Sequence, residues 1–180
     1  NTYIALPATP VAVSLAARQQ GAGGWEIPQL LWDDGNALKV EGSLGFDPQL
    51  NLDDADLRAS SDDLVPLSPR YLSGWLGMAG LSELQLHGAI SARMRMQDGV
   101  MILADADLRE VSVIDGQQRF RFDGLNGKPV FSAQAPVQSS LGWRGGAIHG
   151  LAFGAAELPL ASADGSIGLR EPVVVPMLGG

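Results

Sequence analysis

Cysteine is absent from the 180 residues, so the chain has neither disulfides nor thiolate metal or redox sites. Aromatic residues are few, at 6%, which leaves any core to Leu, Ala, Val and Met. Positive charge is in deficit. Twelve Lys and Arg stand against twenty Asp and Glu, for a net charge of −8, and nucleic-acid binders need a basic footprint. No run approaches the ~20 apolar residues of a membrane-spanning helix. The two histidines, His87 and His149, have no HxxxH or HExxH spacing for a metal. No Gly-x-Ser-x-Gly elbow is present. Asp53, Asp54 and Asp56 lie close together but lack the Gly and bidentate Glu of a calcium loop, so a solvated acidic turn is expected. Twenty acids could supply a glycosidase pair in any fold, which decides nothing. The expectation is a non-enzymatic protein with no cofactor, no metal and no nucleic-acid partner.

What is abundant is Gly, Pro and alternation. Twenty-three Gly and 11 Pro make the chain turn-rich, and 46% hydrophobic residues make it globular. The clearest stretch is Leu84–Arg109. Leu84, Leu86, Ile90, Ala92, Met94 and Met96 fall on one side, and Gln85, His87, Ser91, Arg93, Arg95 and Gln97 on the other. Successive side chains of a β-strand point to opposite faces, so this is a long strand with one apolar face. Asp98-Gly99 then signals a hairpin turn, after which Val100, Ile102, Ala104, Ala106 and Leu108 continue the apolar side.

The same pattern stands earlier. Leu38–Phe46 matches Leu84–Ala92 position by position, and Ala55-Asp56-Leu57-Arg58 reappears as Ala106-Asp107-Leu108-Arg109. Repeat units of about 38–58 and 84–109 point to a repetitive, elongated β-structure. Along the rest of the chain, Tyr3–Leu6, Val11–Leu15 and Ile27–Trp32 read as strands, and Asp33–Asn36 as a turn. Phe120 and Phe122 alternate with Arg119, Arg121 and Asp123. A bulge is expected near Gly150, and Val173–Val175 reads as strand-like. Between the repeats lies one short amphipathic helix near 69–79. Ser68 is its expected N-cap, Pro69 its first residue and Gly80 its end, with an apolar stripe of Tyr71, Leu72, Trp75, Leu76 and Ala79. That helix is expected as a lid over one end of the apolar core. The fold class is all-β, with about a dozen short strands.

The stretch Ala55–Ser132 runs as strand, Leu64-Val65-Pro66-Leu67-Ser68-Pro69 into a helix, then a Leu-x-Leu-x-Gly hairpin. It continues through Asp107–Asp115 to Arg119-Phe120-x-Phe122-x-Gly124-Leu125-x-Gly127. With Leu141-Gly142-Trp143, Leu151–Gly154 and the closing Glu171–Gly180, residues 38–180 resemble the AsmA-like superfamily of Gram-negative envelope proteins, including the YdbH and TamB types. The resemblance implies repeated antiparallel hairpins forming an elongated U-shaped, taco-like groove or open barrel. It implies a periplasmic protein, anchored in the inner membrane, that moves phospholipid toward the outer membrane along an apolar groove. Family members run to many hundreds of residues with an N-terminal anchor. The chain, which starts at Asn1 without a leader and stops at Gly180, is therefore expected to be a single segment of a longer parent that meets the membrane through its other parts.

One-sided alternation needs its apolar face covered, by a second sheet or by something apolar that is not protein. The candidate lipid-groove residues are Leu84, Leu86, Ile90, Met94, Met96, Val100, Ile102, Leu108, Phe120 and Phe122, with phospholipid acyl chains as partner. The methionines suit changing apolar partners. A closed β-sandwich with these same residues as its core, serving as a structural or adhesion module for a protein or glycan, is the alternative, and a carbohydrate-active enzyme is a distant third. Arg93, Arg95, Arg119 and Arg121 are expected as a solvated face pairing with Asp105, Asp107 and Asp123. An exposed edge strand could also pair two copies of the chain.

Overall fold

A computed structural model of the chain describes residues 10–21 and 23–178. The expected strand at Tyr3–Leu6 lies outside them. Among the described residues fourteen strands form one open sheet. They are β1 (Ala12–Gln19), β2 (Trp25–Asp34), β3 (Leu38–Phe46), β4 (Leu52–Ser61), β5 (Leu84–Gln97), β6 (Val100–Asp115), β7 (Phe120–Gly127), β8 (Val130–Ser132), β9 (Val137–Trp143), β10 (Gly145–Ile148), β11 (Leu151–Phe153), β12 (Ala156–Ala163), β13 (Ser166–Leu169) and β14 (Met177–Leu178). All pairings are antiparallel. The short later strands join end to end. β7 and β8 lie in succession along β6, β10 and β9 along β7, and β11 and β12 along β10 and β9. β13 and β14 complete the order against β12 and β11. The chain is therefore one meander of long spans, each laid beside its predecessor, with kinks at residues such as Gly127 and Arg144.

The turn chemistry sets these spans. Asp98-Gly99 and Asp164-Gly165 have positive φ at both central positions, as two-residue hairpin turns of the primed types require. His149-Gly150 does the same between β10 and β11, so the expected bulge there is instead a hairpin turn. Val173–Val175 departs from expectation too. It stays outside the sheet, with Val174 88% exposed, and the strand forms at Met177–Leu178.

No second sheet packs on the apolar face among the described residues, so the closed sandwich is not the architecture. Among the described residues only six hydrophobic ones are buried, and sixteen large ones are exposed. The accessible surface of 10836 Å² exceeds the roughly 8,300 Å² of a compact protein of this 18.9 kDa mass. A single layer of sheet explains the excess, because each side chain has neighbours beside it but little above it.

The helix starts as a π-helical turn, Ser68–Leu72, and continues as α1 (Ser73–Met78). The π turn carries more residues per turn than 3.6, so the expected stripe is re-phased. Leu76 is buried, while Trp75 is 70% exposed and Ala79 is exposed as well. Ser68 is not the N-cap. It is buried, and its hydroxyl donates to the Leu84 carbonyl at 2.6 Å, stapling the helix to β5. The C-terminal end closes as expected at Gly80, with the Leu81 N–H reaching the Leu76 carbonyl at 2.7 Å.

Candidate functional site

Directly opposed residues of an antiparallel pair share a face, so the registers assemble the site strand by strand. On β5, Ile90 lies opposite Leu108 of β6, Met94 opposite Ala104 and Met96 opposite Met101. On the other flank, Met96, Met94 and Ala92 oppose Ala55, Leu57 and Ala59 of β4. β3 adds Leu44 beside Ala55 and Val40 beside Ala59, and β2 adds Ile27 and Trp32. Leu86 opposes Val113 and Leu84 opposes Asp115. Phe122 lies between Val113 and Gly146, and Phe120 opposes Ile148. One apolar face thus crosses the sheet from β2 to β10. Ile102 belongs to it, next to a register shift.

That shift moves Val100. The extra residue in β6 near Met101 and Ile102 sets Val100 opposite Gln97, on the polar side of the alternation and 59% exposed, and gives its place to Met101. A second bulge had a larger effect. Glu110, at φ 50°, lies opposite Gly88 together with Val111, which turns Val111, Val113 and Asp115 onto the apolar face. Asn126 holds it there. The Glu110 N–H donates to Asn126 Oδ1, and Asn126 Nδ2 donates back to Glu110 Oε1, both at 2.9 Å. Val111, 4% exposed, is therefore a core residue that simple alternation hides.

Phe122 is packed rather than open. Its ring meets Trp143 edge-on at 5.8 Å and Phe153 at 5.3 Å, and those two meet at 6.0 Å. Phe153 is 4% exposed. This cluster fixes the later spans and bounds the apolar face on that side. Toward β4 and β5, Leu57, Met94, Met96 and Ile90 are half-buried, as Phe122 itself is, but no aromatic cluster stacks on them.

The helix closes one margin of the face through polar contacts. Arg70 Nη1 and the Tyr71 hydroxyl donate to Asp34 Oδ2 at 2.9 and 2.8 Å, and Trp32 Nε1 donates to the Tyr71 hydroxyl at 3.1 Å. Burial pushes the Tyr71 phenol above its ordinary value, the Trp32 bond opposes this, and Asp34 adds to the rise. At the other end Arg119 binds Asp115 through Nε at 2.6 Å and through Nη2 at 2.9 Å, while Nη2 also reaches the Gly80 carbonyl at 2.8 Å. Arg119 is thus a tie between sheet and helix, not part of a surface stripe.

Asp115 is 1% exposed, and the Arg119 guanidinium holds its carboxyl at about 2, below the usual 3.8. The unfolded carboxyl binds its proton first as pH falls. The stabilisation is therefore complete above about pH 4 and is lost as pH falls toward 2. Urea melts of the wild type between pH 5 and pH 2 should fall in midpoint over that window. Asp115→Asn should start less stable and show a flatter profile, and an unchanged profile would sink the assignment.

The opposite face is charged and paired. Arg93 holds Asp56 at 2.9 Å and lowers its pKa, Arg95 stands 3.8 Å from the same carboxylate, Arg121 pairs with Asp123, and Asp107 pairs with Lys128. Such exposed pairs each contribute little. A 490 Å³ pocket lies among Lys39, Glu41, Arg58, Arg93 and Asp105, with Val40, Ala59 and Ala92 also lining it. His87 is exposed opposite Ser112. Asp53, Asp54 and Asp56 lie on β4 rather than in a turn.

Comparison with protein-family models, with curated proteins and with solved structures finds no match for this chain.

Proposed function

We propose that the apolar face holds phospholipid acyl chains, as one segment of a periplasmic bridge that carries lipid between inner and outer membranes. The observation that carries this reading is the uncovered, half-buried apolar surface from β2 to β6, lined by Leu44, Leu57, Ile90, Met94 and Met96 on an unclosed sheet. Apolar surface of that extent calls for a partner. Acyl chains need no hydrogen bonds, and these side chains offer none, while the polar groups at the margin, Asp115 and Trp32, are paired within the protein. Methionines on adjacent strands adapt to chains of differing shape. The AsmA-like resemblance supplies the envelope setting: a parent protein anchored in the inner membrane, non-enzymatic and without cofactor.

The test is mass spectrometry of organic extracts from the purified chain. Phospholipid should accompany the wild type. Ile90→Asp and Met94→Arg should each lower it by about tenfold or more, because a charge desolvated against acyl chains costs at least the ~1.4 kcal/mol of one decade in affinity. Circular dichroism must remain that of a folded sheet. Lipid-free wild type, or variants that unfold instead of losing lipid, would return these residues to a packing role.

A further inference from the structure

Beyond the lipid-binding reading, and independent of it, the charged face holds a pocket whose polar groups are not all engaged within the chain. The registers of β3, β4, β5 and β6 set two cross-strand rows there. In one, Lys39, Ser60 and Ser91 lie opposite one another. In the next, Glu41 opposes Arg58, Arg58 opposes Arg93, and Arg93 opposes Asp105. All seven line the 490 Å³ pocket. Alternation puts them on the side away from Leu57 and Met94, which adjoin Arg58 and Arg93 along their strands. The second row places two like charges, Arg58 and Arg93, directly opposite each other, an arrangement that destabilises a sheet unless anions offset it.

Few of these groups have a firm partner among the described residues. Arg93 is the exception, held by Asp56 through Nε at 3.3 Å and Nη2 at 2.9 Å. Arg58 Nη1 stands 3.7 Å from Glu41 Oε1 and Lys39 Nζ 3.8 Å from Asp33 Oδ2, both beyond hydrogen-bond range. The half-buried Ser60 and Ser91 hydroxyls donate to no described residue, and Asp105, passed over by Arg93 in favour of Asp56, forms no ion pair among them. Guanidinium, ammonium and hydroxyl donors lining one pocket suit the oxygens of a phosphate. An open carboxylate beside them suits a cation on the same ligand and disfavours a bare phosphate dianion. Strands lie about 4.7–4.9 Å apart, so Asp105 on β6 is one strand from Ser91 on β5, the reach of a two-carbon link between phosphate and ammonium. We propose that this pocket binds a zwitterionic amino phosphoester, its phosphate on Lys39, Arg58, Ser60 and Ser91 and its ammonium on Asp105.

Titration calorimetry of the purified chain with O-phosphoethanolamine should show one site, with inorganic phosphate and ethanolamine each bound about tenfold more weakly or worse, since each lacks one charged contact. Arg58→Gln and Asp105→Asn should each weaken O-phosphoethanolamine by about tenfold with an unchanged circular dichroism spectrum. Arg121→Gln, whose partner Asp123 is outside the pocket, should leave binding as it is. Should Asp105→Asn fail to fold, Arg58→Gln decides, at a side chain 60% exposed. Cosedimentation with phosphatidylcholine vesicles, with and without phosphatidylethanolamine, separates two sources of the same chemistry. Added retention with phosphatidylethanolamine that Arg58→Gln abolishes assigns the phosphoester to a lipid headgroup, and binding of the soluble ester alone assigns it to a free small molecule. No binding of O-phosphoethanolamine, binding indifferent to Arg58→Gln, or inorganic phosphate bound as tightly overturns the proposal.

Discussion

Gly42→Val unfolds the first half of the sheet. Gly42 has φ of 149°, in the range side chains avoid, and a Cβ built there would collide with the Asp56 carbonyl on β4. The obstacle is backbone, which cannot rotate away as a side chain tip would. A disfavoured backbone conformation alone costs about 1–3 kcal/mol, and the collision adds the loss of the β3–β4 register. That register aligns Leu44 with Ala55 and Val40 with Ala59, so its loss would scatter the apolar face. Gly88 occupies the matching place of the second unit, at φ 97° against the Glu110 carbonyl. Gly77→Ala is the internal control. A Cβ there meets nothing, and in a helix interior alanine should stabilise by about 0.5–1 kcal/mol. Urea unfolding followed by circular dichroism measures both. A Gly42→Val variant within about 1 kcal/mol of wild type would mean that the close approach of β4 sets nothing.

Phe153→Ala should cost about 3–5 kcal/mol, the usual range for deleting a buried ring. Phe153 is the most buried member of the cluster with Phe122 and Trp143, and the Trp143 indole donates to the Gly154 carbonyl at 3.1 Å beside it. In a single-layer sheet the damage need not spread. The β9–β12 region should lose its fixed packing while the β2–β5 region, where Trp32 is tied to Tyr71, keeps its own. Fluorescence from variants retaining only Trp143 or only Trp32 separates the two. Coincident transitions with a loss under 1 kcal/mol would remove the cluster from its place as the anchor of the later spans.

The all-β class, the Asp98-Gly99 hairpin and the paired polar and apolar faces of β5 were legible because period-two alternation and turn residues act locally. The matching glycines Gly42 and Gly88 were legible as a repeated motif, although the tetrapeptides are not structurally equivalent. Ala55 opposes Leu44, whereas Ile90, which matches Leu44 in the motif, opposes Leu108 and not Ala106. A slip of two residues keeps every side chain on its face, so the pattern survives and the pairing differs.

Sequence alone determined that this chain builds strands with one greasy side, and which residues of each strand lie on that side between bulges. Tertiary structure alone decided the rest, through contacts distant in the chain. The bulge at Glu110, held by Asn126, brought Val111 inward, and the shift beside Met101 turned Val100 out. The π turn exposed Trp75, and the Asp115–Arg119 and Asp34–Arg70 pairs fastened the helix to the margin of the face. Whether the greasy side meets a second sheet was also decided there. Alternation reads the same in a sandwich and in an open sheet, since both bury one face and only the neighbour above it differs.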